Sequence, residues 1–125
     1  MKKDIQNRAD IELLVNTFYD KIKNDPAIWY IFTDVSKIDW EKHLPNMYDF
    51  WDNILFYSGS YKGSPMNLHT HLNKITTLKK KHFNRWTGLF TSTVDELFSG
   101  KNADLIKQRA LGISAIMQQN LFHQP

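Results

Sequence analysis

The chain has 125 residues, so residues 1–125 are expected to form one domain, with 1–9 and 123–125 as flexible ends. It has no cysteine, which excludes disulfides, iron–sulfur clusters and cysteine–zinc sites. A formal charge of +3 is too mild to argue for nucleic acid, and an aromatic fraction of 14% suits either a flat apolar cofactor or a small core with few other fillers. Met1-Lys2-Lys3-Asp4 leads into polar residues, and no run reaches membrane-spanning length, so the expectation is a cytoplasmic protein with no membrane and no nucleic-acid partner.

The pattern is helical nearly throughout. Asp10 is the expected cap of a first helix whose apolar set is Ile11, Leu14, Val15, Phe18 and Ile22, with Tyr19 on the flank of that stripe. The helix should stop near Asp25-Pro26, because a residue before proline disfavours helical geometry. Asp25 and Pro26 then read as cap and first position of a short helix over Ala27 to Phe32. Asp39 looks like the next cap. Trp40, Leu44, Met47, Trp51, Ile54 and Leu55 form one stripe and His43, Met47, Phe50 and Ile54 another, so this helix should pack on two sides. Pro45 leaves two starts open: at Trp40, or near Pro45 with His43 in an irregular lead-in.

Ser58 to Ser64 reads as a loop, and Ser64-Pro65 as the start of a short helix carrying Met66, Leu68 and His69. Thr76 or Thr77 can cap a long helix with Phe83, Trp86, Phe90, Val94 and Leu97 on one face. Gly100 should end it as a left-handed C-terminal residue. Asn102 is the expected cap of a last helix with Ile106, Ala110, Ile113, Met117 and Leu121 inward. Lys79-Lys80-Lys81 reads as a solvated helix start.

Five histidines are the chemistry-bearing residues. A zinc site is poorly supported, since there is no H-E-x-x-H and no pair of histidines at i,i+3 or i,i+4. His69 sits in a short helix after a turn-rich loop, so its backbone can be placed independently of the long helices, as an axial metal ligand requires. His71 is two residues on and points to another side of a helix, which makes it a surface residue or an alternative ligand. His43 is either a residue facing a ligand site or a helix-start histidine bonded near Asp39; His82 reads as structural or rim, and His123 carries no assignment.

Three stretches, in this order, carry a resemblance: His43-Leu44-Pro45-Asn46-Met47 with Phe50-Trp51; Tyr61-x-Gly63-x-Pro65-x-x-x-His69; and His82-Phe83-Asn84-Arg85-Trp86. Together they resemble the group III truncated haemoglobins over about Phe18 to Leu121. The histidine doublet is a departure from the family's usual single histidine, and the two-glycine turns of other truncated groups are absent, as they usually are in group III.

The resemblance implies an all-α, globin-like two-over-two helical sandwich binding heme b (iron protoporphyrin IX) through His69. It implies a ligand pocket of Phe18, Tyr19, His43, Met47 and Trp86. Phe32, Met47, Phe50, Leu68 and Trp86 would pack on the porphyrin. Arg85 is either the partner of a haem propionate or an exposed arginine on the helix back. The implied ligands are dioxygen, carbon monoxide, nitric oxide or cyanide, in a monomer, with an unidentified reductase as a further partner. Two other classes remain in play. One is a haem enzyme with peroxidase-like or nitric oxide-detoxifying turnover; the other is a cofactor-free helical interaction module.

Overall fold

The computed structural model describes residues 2–30, 40–56 and 80–122. Five helices run in the order α1 (Arg8–Lys23), α2 (Pro26–Tyr30), α3 (Trp40–Phe56), α4 (Lys80–Leu97) and α5 (Lys101–Phe122), with no strand among the described residues. Phe32 and the segment holding Met66, Leu68, His69 and His71 lie outside the described residues, as do the expected caps Asp39, Thr76 and Thr77 and the tail from His123.

The cap of α1 is Asn7, three residues before the expected Asp10. The Asn7 side chain accepts the Asp10 N–H at 3.0 Å, and the Asp10 carboxylate accepts the Gln6 N–H at 2.9 Å. Asp10 is therefore the returning member of a reciprocal cap and not the cap itself, because Asn7 offers its acceptor first. The expected stripe is buried: Ile11, Leu14, Val15, Phe18 and Ile22 are at most 2% exposed. Full burial of a large apolar side chain contributes roughly 1.5–3 kcal/mol, so this face outweighs the propensity of the helix.

The turn into α2 follows the sequence closely. Asp25 Oδ1 accepts the Ala27 N–H at 3.0 Å, with Pro26 in the first helical position. In α3 regular helix begins at Trp40, so His43 lies inside it and no irregular lead-in precedes Pro45. Pro45 is exposed, and within the helix it removes one backbone donor and crowds the preceding turn.

Helices α1 and α3 pack antiparallel: Arg8 Nη2 reaches Asp49 at 2.8 Å near one end, while Tyr19 meets His43 near the other. The Tyr48 hydroxyl donates to Asn16 between them. Helices α4 and α5 form the second pair, and contacts of α1 with α4 and of α3 with α5 join the two pairs. This is the expected two-over-two sandwich. Its centre holds Phe18, Phe50, Trp51, Phe90, Val94 and Ile106. Two buried α4 threonines interrupt the apolar stripe, Thr87 and Thr93, and each hydroxyl donates to a carbonyl one turn earlier (Phe83 at 3.0 Å and Leu89 at 2.6 Å).

The α4–α5 corner departs from expectation. Gly100 has φ +148, and its carbonyl accepts the Asp104 N–H at 2.9 Å, so it opens α5 and is not a left-handed end of α4. The cap of α5 is Asp4, from the other end of the chain. Its Oδ2 accepts the Asn102 N–H at 3.0 Å and its Oδ1 the Ala103 N–H at 2.9 Å. Asn102, the expected cap, uses its side chain to donate to the Ile5 carbonyl at 2.7 Å. The lead-in expected to be loose is thereby bonded to the corner. Ser99 N donates to the Lys3 carbonyl at 3.0 Å, and Ile5 is fully buried. No described helix is long and apolar enough to cross a membrane.

Candidate functional site

The site lies where α1, α3 and α4 converge. Tyr19 follows Phe18 on α1, both turned inward by the 3.6-residue period that buries Leu14, Val15 and Ile22. His43 faces it from the first turn of α3. The Tyr19 hydroxyl oxygen is 2.9 Å from His43 Nε2, with the rings edge-on at 5.3 Å. With the imidazole proton on Nδ1, the phenol donates and Nε2 accepts. Tyr19 is 6% exposed and His43 9%. Burial pushes the Tyr19 phenol well above its ordinary pKa, so it stays protonated and able to donate.

Trp86 enters from α4. Its ring meets Phe18 edge-on at 5.9 Å and stacks on Phe90 at 5.9 Å, and Phe90 stacks in turn on Trp51 at 4.9 Å. Phe18 also touches Tyr19 at 5.0 Å and Phe90 at 5.2 Å. Phe18 is thus the hub that joins the polar pair to the tryptophan. The structure brings Phe18, Tyr19, His43 and Trp86 into one contact network. Met47 is half-buried against the same core, and Phe50 is buried edge-on to Trp51 at 4.8 Å.

Arg85 is committed to a protein carboxylate: its Nε donates to Asp25 Oδ2 at 2.5 Å. Asp25 is buried and also caps α2, so this pair ties the α1–α2 corner to α4 beside Trp86. The sequence offers Asp25 as a cap and leaves Arg85 either a propionate partner or an exposed cation, and gives no sign that the two meet sixty residues apart. Phe90 was legible as core but not as the support of Trp86. His82, expected to be structural or at the rim, is 8% exposed.

The donor set decides what this wall suits. Tyr19, His43 and Trp86 supply a phenol, an imidazole and an indole N–H, and Phe18, Phe50 and Met47 supply apolar surface. None of these six carries a carboxylate or a permanent cation. Such a wall fits a flat apolar macrocycle and a small neutral ligand, and it offers nothing to a hard cation. No group of three or more metal-binding side chains occurs among the described residues.

The bacterial-like globin family model matches residues 3–119. The chain is 27% identical to the group 3 truncated hemoglobin of Campylobacter jejuni, over 98% of this chain and 96% of that protein. The crystal structure of a group III truncated hemoglobin from Campylobacter jejuni superposes with a TM-score of 0.84 at 26% identity, covering 98% of this chain and 97% of that one.

Proposed function

Because this chain belongs to the bacterial-like globin family, we propose that it binds a b-type haem through His69 and reversibly binds dioxygen and other small neutral ligands beside it. Haem would supply an iron able to take a small ligand, and because the macrocycle's own nitrogens hold that iron, a single protein imidazole, His69, would complete the attachment. The observation that carries this reading is the buried Tyr19–His43 bond set in a wall of aromatic rings.

The residues have separable tasks in this reading. Phe18, Phe50 and Met47 exclude water and give a flat face for the macrocycle. Tyr19 and Trp86 hold hydrogen-bond donors toward a bound ligand, and donation by either slows ligand release. His43 holds the Tyr19 proton when no ligand competes for it. Arg85, fixed by Asp25 through Nε, keeps its terminal nitrogens for a propionate at the edge.

An absorption spectrum of the reduced protein, before and after carbon monoxide, tests the reading. A Soret band that shifts with carbon monoxide is expected. His69→Ala should abolish tight haem binding, while His71→Ala should leave it. A colourless protein that gains no Soret band on adding haem sinks the proposal and favours the cofactor-free helical module.

A further inference from the structure

The geometry points to Tyr19 as a redox-active tyrosine, giving one electron to a small radical oxidant by way of Trp86 while His43 takes its proton. Haem has no part in this step, so the inference goes beyond the ligand-binding reading.

Three features meet in one place. A phenol becomes strongly acidic when it loses an electron, so a buried tyrosine is oxidised readily only if a base stands within hydrogen-bond reach. His43 Nε2 is that base, at 2.9 Å, and both groups are largely shielded from water. The phenol of Tyr19 resists ionisation because it is buried, so phenolate is not available as the reductant and electron and proton must leave together. The electron also needs a way out. Phe18 touches Tyr19 at 5.0 Å and Trp86 at 5.9 Å, and Trp86 is the half-exposed member of the chain. Indole and phenol are the side chains most easily oxidised by one electron.

The step balances as follows. Nitrogen dioxide, a small neutral one-electron oxidant, takes an electron from the Trp86 ring and leaves as nitrite. The Trp86 cation radical regains its electron from Tyr19 across Phe18. The Tyr19 O–H bond breaks, its proton moves to His43 Nε2, and a neutral tyrosyl radical faces an imidazolium. The products carry one negative and one positive charge, and the reactants carried none.

Tyr48 is an internal control. It is more exposed than Tyr19, but its hydroxyl donates to the Asn16 side-chain oxygen, an amide that cannot hold the proton. Exposure alone would therefore favour Tyr48, and the base-assisted route favours Tyr19.

Two measurements on the whole purified protein test this. In the first, the unmodified chain is exposed to nitrogen dioxide at low dose and nitrated tyrosines are mapped by mass spectrometry. Coupling of a second nitrogen dioxide to the tyrosyl radical marks its position. Nitration at Tyr19 ahead of Tyr48 is expected; the reverse order overturns the inference. In the second, azide radicals made by pulse radiolysis oxidise tryptophan, and conversion of tryptophanyl to tyrosyl absorption is followed in water and heavy water. Tyr19→Phe should remove most of this conversion. His43→Gln keeps an acceptor but no base, so it should slow conversion about tenfold and abolish the solvent isotope effect. Unchanged rates and isotope effect in His43→Gln refute the proposal. Loss of haem binding with the Tyr19 radical intact would sink the haem reading and leave this one standing.

Discussion

Tyr19 shows how one side chain serves two partners. Its place on the flank of the α1 stripe gives it an apolar body inside and a hydroxyl that must find a partner, because an unmade hydrogen bond on a buried hydroxyl costs about 1–3 kcal/mol. His43 meets that need in this structure. On the ligand-binding reading the same hydroxyl turns to a bound ligand, so Tyr19→Phe should speed dioxygen release about tenfold in stopped-flow measurements, the effect of losing one hydrogen bond. Trp86→Phe should act in the same direction. Unchanged release rates would remove both residues from the ligand's polar surroundings. The sequence placed Trp86 on an inward stripe and Tyr19 beside one but left open whether each merely packs; their link through Phe18 depends on a crossing of α1 and α4 that no local pattern encodes.

At the scale of elements, the helix interiors follow the apolar period, whereas the ends follow whichever polar group arrives. Asn7 displaced Asp10 at α1, and Asp4 displaced Asn102 at α5. The second substitution explains Gly100. A Cβ there would lie 2.5 Å from Asp4 Cγ, and φ +148 is a conformation L-residues rarely adopt. Gly100→Ala should therefore destabilise by about 2 kcal/mol, read from the denaturant midpoint at unchanged slope, since strained backbone costs of that order. Asp4→Ala should recover little of that loss, because it also removes the α5 cap, worth about 1 kcal/mol. A Gly100→Ala protein as stable as the parent would show that the corner relaxes freely.

For the molecule as a whole, the N-terminal lead-in links the first and last helices, and this gives its stability a pH signature. Burial alone would raise the Asp4 carboxyl, but the N–H groups of Asn102, Ala103, Ile5 and Lys101 together overcome that and hold it below the ordinary carboxylate range. Burial likewise raises Asp10, and Lys3 with the Gln6 and Asn7 backbone more than offsets it. Folding therefore favours both ionised forms. Their contribution is complete above the unfolded carboxyl pKa of about 3.9 and is lost as pH falls through the lower folded values. Asp4→Asn should cost stability at neutral pH and progressively less in acid, so the melting curves of variant and parent should converge as pH drops below about 4. A constant difference across that range would mean that the Asp4 charge has no part in capping α5.

The sequence by itself determined the all-α class, the helix interiors, the Asp25-Pro26 turn and the inward set Phe18, Phe50 and Phe90. Each of these is a consequence of local backbone geometry or of a 3.6-residue apolar period, and both are written within a dozen neighbouring residues. Only the tertiary structure decided that Asp4 caps α5, that Arg85 meets Asp25, and that Tyr19 and His43 share a hydrogen bond. Those pairings join residues 98, 60 and 24 positions apart or more, and a polar group's choice among distant partners is set by how the helices cross.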